Sequence, residues 1–224
     1  MNRLDDLLAR HGLMVRGGFS FDADEDAPPG PSGGPARSVV LVGHGGGTIW
    51  PHFSAWLSAR GEPPANPLDA WSVEVLDAIA EEVGARAVYP FAKPYLPFQR
   101  WAMRAEGLRP SPLGILMHPE FGLWHAWRGA FLFDVETVNQ PPANPIHLCD
   151  SCNGKPCMNS CPPDAVSGQG MDIVRCHGWL TPDRGQTCRS AGCLARNACP
   201  HDRHRYGAAQ TAFHMAAHLR GLDG

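Results

Sequence analysis

Cysteine is absent from the first 148 of the 224 residues, so whatever cysteine does here is confined to one late segment. Long apolar runs are also missing. None approaches the roughly 20 residues of a membrane span, and no membrane is an expected partner. No Lys/Arg-rich run occurs and the formal charge is −3, so no basic surface for nucleic acid is expected. The first 18 residues carry Asp5 and Asp6 and no apolar h-region, which is unlike a secretory leader and points to the cytoplasm.

What remains is an ordinary globular composition, 43% hydrophobic and 18% charged, in a chain long enough to bury a real core. Glycine (25) and proline (22) are abundant, so much of it must be loop and turn. Residues 3–11 read as a short amphipathic helix with Leu4, Leu7 and Leu8 on one side. Residues 21–36, acidic and then Pro/Gly-rich, read as a flexible loop. Ser38 to Val42 is a β-branched run expected to stop at Gly43-His44-Gly45-Gly46-Gly47, with a helix after it bearing Pro51, Phe53, Trp56 and Leu57. That strand, Gly-rich loop and helix resemble a phosphate cradle but match no nucleotide fingerprint; a tight turn is the plainer reading. Residues 67–83 place Leu68, Trp71, Val75, Ile79 and Val83 on one helical stripe, ended by Gly84. A short strand is expected at 85–89 and a helix at 98–106. Leu113–Met117 and Leu123–Val135, around the His118-Pro119-Glu120-Phe121-Gly122 turn, read as a β-hairpin. Three prolines between Pro141 and Pro145 mark a boundary, and a last helix is expected at about 205–220.

All eight cysteines fall between Cys149 and Cys199. Disulfides need an oxidising compartment, and such frameworks belong mostly to small chains, so clustering here means metal. The first group is Cys149-x2-Cys152-x4-Cys157-x3-Cys161-Pro162, the second Cys176-x11-Cys188-x4-Cys193-x5-Cys199-Pro200. A cubane needs four thiolates converging on a compact core, several from one tight loop and one from afar. In two-cluster ferredoxins the cysteine before proline serves the other cluster. Applied here, Cys149, Cys152, Cys157 and Cys199 hold one [4Fe–4S] cluster, and Cys161, Cys176, Cys188 and Cys193 the second. Zinc is the alternative, but only Cys149/Cys152 has the paired ribbon spacing. The segment also carries Lys155, Arg175, Arg184, Arg189 and Arg196 against four aspartates, cations able to offset cluster charge and raise its potential.

The C-terminal third resembles the iron–sulfur domain of epoxyqueuosine reductase and of reductive dehalogenases. The resemblance rests on Cys-x2-Cys…Cys-x3-Cys-Pro, on Arg175-Cys176-His177-Gly178-Trp179-Leu180-Thr181, and on Cys199-Pro200. Residues from about 38 to 134 are similar to cobalamin-processing proteins of the CblC type, through the run from Leu113 to Trp124 and through Arg128-Gly129. These resemblances imply an α+β fold: a nitroreductase/flavin-reductase-like α/β sandwich with a small C-terminal two-cluster ferredoxin-like domain. The implied organisation is a helix and flexible loop over residues 1–37, a cofactor domain over 38–140 and the cluster domain over 141–224.

The implied activity is that of a redox protein passing single electrons through two [4Fe–4S] clusters to bound cobalamin. An external donor (a ferredoxin, flavodoxin or reductase) would supply them, and a corrinoid or other small molecule would accept them. By carry-over, Gly114, His118, Phe121, Trp124 and Arg128 would line the cofactor pocket, with His118 and Arg128 as catalytic candidates. Trp101, Trp124, Trp127 and Trp179 would either wall the macrocycle or serve as core. His201 and His204 are candidates to face a cluster sulfur, and His214 and His218 share a helix face without a third ligand. The epoxyqueuosine reductase proton donor has no counterpart that the motifs locate. Competing readings are a non-catalytic ferredoxin-type carrier, a flavin-dependent reductase using FMN or FAD, and a zinc-stabilised binding module.

Overall fold

The computed structural model describes residues 3–136 and 145–222. In chain order the first elements are α1 (Arg3–Ala9), β1 (Met14–Ser20), β2 (Ser38–Gly45), α2 (Trp50–Ser58) and α3 (Pro67–Val83). Next come β3 (Arg86–Val88), α4 (Phe98–Glu106), β4 (Arg109–Pro110), β5 (Leu116–Met117) and β6 (His125–Phe133). The remainder is α5 (Pro156–Asn159), β7 (Val166–Ser167), β8 (Gly170–Met171), α6 (Ile173–Trp179), α7 (Gln186–Ala191), α8 (Leu194–Asn197) and α9 (Ala208–Arg220).

These elements form two compact units, Met1–Leu108 with His125–Pro145, and Arg109–Trp124 with Ile146–Gly224. The units are interleaved, so a single cut near residue 140 does not divide them: residues 109–124 belong with the cysteine segment, and α1 and β1 belong with the sheet. Residues 141–144 of the expected proline boundary lie outside the described residues. No helix among the described residues is long and apolar enough to cross a membrane.

The first unit is α+β, built on an antiparallel sheet in the order β1-β2-β6-β3. Every residue of β2 is buried, as expected of a β-branched run in the middle of a covered sheet. The strand does not stop at Gly43. It runs on to Gly45, paired with His125 of β6, with an irregularity between Val42 and Gly43. A Cβ at Gly43 would sit 2.3 Å from the Ala126 carbonyl oxygen, so only glycine lets the two strands close there. Gly46 and Gly47 are left to make the turn into α2. Strand β1 was not legible in sequence, since its two glycines and the irregularity between Val15 and Gly18 break the alternation.

Helix α3 buries Trp71, Val75, Leu76, Ile79 and Ala80, and ends on Gly84 at φ +67°. Helix α4 buries Phe98, Trp101, Ala102 and Ala105, so Trp101 is a core residue. Residues 21–36 form neither helix nor strand, yet they are pinned: Gly30 N–H donates to Gly34 O, Ser32 N–H donates to Asp134, and Pro29 bridges Pro35.

The expected hairpin around 118–122 is corrected. β5 pairs with β4, while β6 pairs with β2 and β3; only a His118–Gly122 bridge closes the turn. The two apolar runs are separated because the chain passes from one unit to the other between Trp124 and His125.

One buried charged group locks the sheet to α4. Arg16 on β1 is only 2% exposed; its Nε and Nη2 donate to the two Glu106 carboxylate oxygens at 2.8 and 3.1 Å. Nη1 donates to His44 O and Nη2 to His125 Nδ1, which must therefore be the unprotonated ring nitrogen. Burial pushes the Glu106 carboxyl up, and the Arg16 guanidinium pulls it back. Neither charge is stable there alone. Replacing Arg16 by Met is expected to cost about 3–5 kcal/mol in urea unfolding, whereas Arg16→Met with Glu106→Leu recovers most of the loss. A double variant no more stable than the single one would show that the pair is not mutually dependent.

Candidate metal centre

Short elements position the eight thiols in the second unit. Lys155 adopts φ +42° and leads into Pro156, which opens α5 and carries Cys157. After Cys161 the chain turns through Asp164, makes the β7–β8 hairpin and reaches Asp172. The Asp172 carboxylate accepts from Arg175 N–H at 2.9 Å, and this N-cap starts α6 and sets Cys176. Cys188 lies on α7, Cys193 is the N-cap of α8, and Cys199 follows its last turn. Gly122, at φ +59°, lets the loop after Cys199 close in: a Cβ there would lie 2.4 Å from His201 O.

The thiols gather in two sets of four. Cys161, Cys176, Cys188 and Cys193 line one cavity of about 300 Å³, with Trp124, Val166, Leu180 and Tyr206 among its walls. Cys149, Cys152, Cys157 and Cys199 line a second, much narrower one with Leu113, Met117 and Leu123. Cys161 thus faces the later cysteines although it follows Cys157 by four residues, and Cys199 faces the earliest three. Both sets pack against one hydrophobic core of Leu113, Met117, Leu123, Val166 and Ala195. No cysteine is in a disulfide. Among the described residues no group of three or more His, Cys, Asp and Glu side chains is placed closely enough to hold a metal ion.

The electrostatics follow the same partition. Cys149 is pushed up to about 11, first by burial and then by Cys199, with Cys157 and Cys152 adding to it. Cys176 is likewise pushed up to about 11, by burial and then by Cys193, Cys161 and Cys188. Burial also raises Cys157, Cys188, Cys193 and Cys199. Four thiols so placed resist ionising together unless a cationic core lies among them. Backbone N–H groups already point at sulfur: Ala165 to Cys161 at 3.3 Å, Leu194 to Cys188, Ala195 and Arg196 to Cys193, and His201 to Cys199.

The expected cofactor residues divide between the units. His118, Phe121 and Trp124 lie in the second unit with Gly114, an exposed turn residue at φ +75°. His118 Nδ1 accepts the N–H groups of Glu120 and Phe121 at 3.1 Å, and its ring stacks on Phe121. Trp124 is 2% exposed and lines the larger cavity. Arg128 is on β6 in the first unit, where Nε donates to Ser72 Oγ at 2.9 Å and Nη2 pairs with Asp69 at 2.7 Å. Trp127 lies under Arg16, and Trp179 lines the larger cavity. His201 lines the narrower cavity; His204 instead meets Phe121 edge-on. His214 and His218 both line the larger cavity, with His218 against His177.

Two groupings escaped the sequence. The buried Arg16–Glu106–His125 group has no local signature, because its members are 90 or more residues from Arg16. Arg196 was one of five cations in the cysteine segment; the fold alone lays it over Trp124 at 4.4 Å and Tyr206 at 4.9 Å.

No protein-family model and no curated protein matches this chain. Among solved structures it is similar to the C. elegans B12-trafficking protein CblC, a human MMACHC homologue. That match has 12% identity and a TM-score of 0.53, and covers 98% of this chain and 92% of that one. An epoxyqueuosine reductase matches with 16% identity and a TM-score of 0.50 over 75% of this chain and 49% of its own. Another, solved with an epoxyqueuosine-modified tRNA stem loop, has 15% identity and a TM-score of 0.48 over 80% and 51%. The chain spans about half the length of these reductases. At such identities the likeness is one of fold: mixed α and β with antiparallel pairing.

The crossed arrangement makes a direct prediction. After anaerobic loading with iron and sulfide, Cys161→Ser and Cys176→Ser should remove the same spectral component, and Cys157→Ser and Cys199→Ser the other. If Cys161→Ser instead removes the component lost with Cys157→Ser, the crossing is wrong.

Proposed function

We propose that this chain is an iron–sulfur redox protein whose eight cysteines hold two [4Fe–4S] clusters, and that it serves a bound corrinoid. The observation that carries the first half is the gathering of eight unpaired thiols into two fours, each around its own cavity. The set arranged around a void suits a polynuclear core better than zinc, whose sulfurs all stand about 2.3 Å from one ion. When bound, such clusters take up and release one electron at a time.

The chain's own residues supply the setting. The Leu113–Met117–Leu123–Val166–Ala195 core keeps water from the thiols on their inner side. Lys155 Nζ, donating to Cys149 O, holds the first cysteine loop closed. The N–H groups on the sulfurs stabilise thiolate over thiol and would do the same for cluster sulfur charge.

The corrinoid half is supported by the fold shared, over nearly the whole of both chains, with a protein whose description is B12 trafficking. Gly114, His118, Phe121 and Trp124 of the second unit are the residues proposed to contact the corrinoid. Any proton transfer or ligation by His118 would run through Nε2, because Nδ1 is engaged by the turn. In the first unit Arg128 is held in a fixed position by Asp69 and Ser72.

Anaerobic purification should yield about eight irons and eight sulfides per chain with a brown visible spectrum. Titration with oxidised and reduced corrinoids should then shift the corrinoid bands. A colourless, zinc-loaded protein would defeat the cluster half. Clusters without any spectral response to corrinoid would defeat the second half and leave a plain electron carrier, or a flavoprotein if FMN or FAD co-purifies.

A further inference from the structure

A buried N–H group needs an acceptor, and the wall of the larger cavity carries one that has none in the protein. Trp124 is 2% exposed and lines that cavity together with Cys161, Cys176, Cys188 and Cys193. Its Nε1 is buried and lacks a hydrogen-bond partner. The ring is held in place: the Arg196 guanidinium lies over its face at 4.4 Å, and Tyr206 meets it edge-on at 5.4 Å. Arg196 is itself tied through Nη2 to Leu123 O, and its Nε is a second buried donor without a partner on the same wall.

Other polar groups of the wall are engaged. Asn197 Nδ2 donates to Ala191 O at 2.8 Å, Thr211 Oγ1 donates to Tyr206 O at 3.4 Å, and the His218 ring meets that of His177. None of the described residues lining the cavity is Asp or Glu, so no carboxylate there can take the indole proton. An indole N–H is a donor only, and its partner must bring lone pairs. In a cavity walled by four thiols, sulfur is the acceptor that the site's own chemistry supplies. An iron–sulfur core adds bridging sulfides to the thiolates, and N–H groups donating to these sulfurs tune its potential.

We propose that Trp124 donates its indole N–H to a sulfur of the cluster held by Cys161, Cys176, Cys188 and Cys193, making it a cofactor-positioning residue. The assignment rests on the two-cluster reading and not on the corrinoid half. It gives the buried nitrogen a partner and explains why the ring is clamped between Arg196 and Tyr206. The hydrogen bond stabilises the reduced, more negative cluster over the oxidised one.

Pulsed EPR of the anaerobically loaded, partly reduced chain, isotopically labelled at the indole nitrogens, tests this without any substitution. A hyperfine coupling between a labelled nitrogen and the reduced cluster is expected. Seven tryptophans carry the label, so substitution makes the assignment. Trp124→Phe, which keeps an aromatic ring but has no N–H, should abolish the coupling. Trp179→Phe, at the other tryptophan of the wall, should retain it. At the poise where this cluster is half reduced, Trp124→Phe should also lower its reduced-to-oxidised ratio about fivefold, the scale of one hydrogen bond. The proposal is overturned if the loaded, unsubstituted chain shows no such coupling, or if the coupling survives Trp124→Phe. Failure to load iron and sulfide at all would refute the two-cluster reading, and this proposal with it.

Discussion

Eight thiols crowded into one small unit resist being together, and most of the second unit is organised by that constraint. Cys188 and Cys199 are buried and the other six half-buried; they repel one another as thiolates and are drawn from positions as far apart as Cys149 and Cys199. The helices that carry them are short, four to seven residues each, and the strands are pairs of two residues. Elements this short contribute little stability of their own. Their common core of Leu113, Met117, Leu123, Val166 and Ala195 is thin, and cysteines make up part of its surface. A bound core among the thiols would turn repulsion into cohesion, coupling metal binding to folding.

The first unit rests on different physics. A fully buried central strand, two well-formed helices and a paired Arg16–Glu106 charge give it a core that needs no metal. Arg128 belongs to that framework as much as to any cofactor, since its hydrogen bonds tie β6 to the first turn of α3. The turn at 118–122 plays a similar part in the second unit, where Gly122 admits the backbone of His201 and so helps seat Cys199. Residues that a cofactor would use are in this way also residues that hold the scaffold rigid.

Much of the helical structure was legible because it is local. The α3 stripe and its Gly84 stop, the Leu4/Leu7/Leu8 face of α1 and the α4 boundaries all follow from periodicity and capping. Strand behaviour was less legible. Gly43 extends β2 where glycine usually ends a strand, because what decides the matter is the approach of Ala126 from 83 residues away. The supposed hairpin failed for a like reason: two adjacent apolar runs found partners in different units.

The thiol partition lies between these cases. The ferredoxin precedent, in which the cysteine before proline serves the other cluster, divides the eight into crossed sets, and each set lines a cavity of its own. The sequence by itself determined that the cysteines form one late cluster with a proline after Cys161 and after Cys199. Only the tertiary structure decided what surrounds them: that residues 109–124 supply much of the shared core, that Trp124 and Tyr206 pin Arg196, and that Lys155 reaches the Cys149 carbonyl. Except for Lys155, those neighbours come from opposite ends of the cysteine segment or from beyond it, and no local pattern records a contact made across such separations.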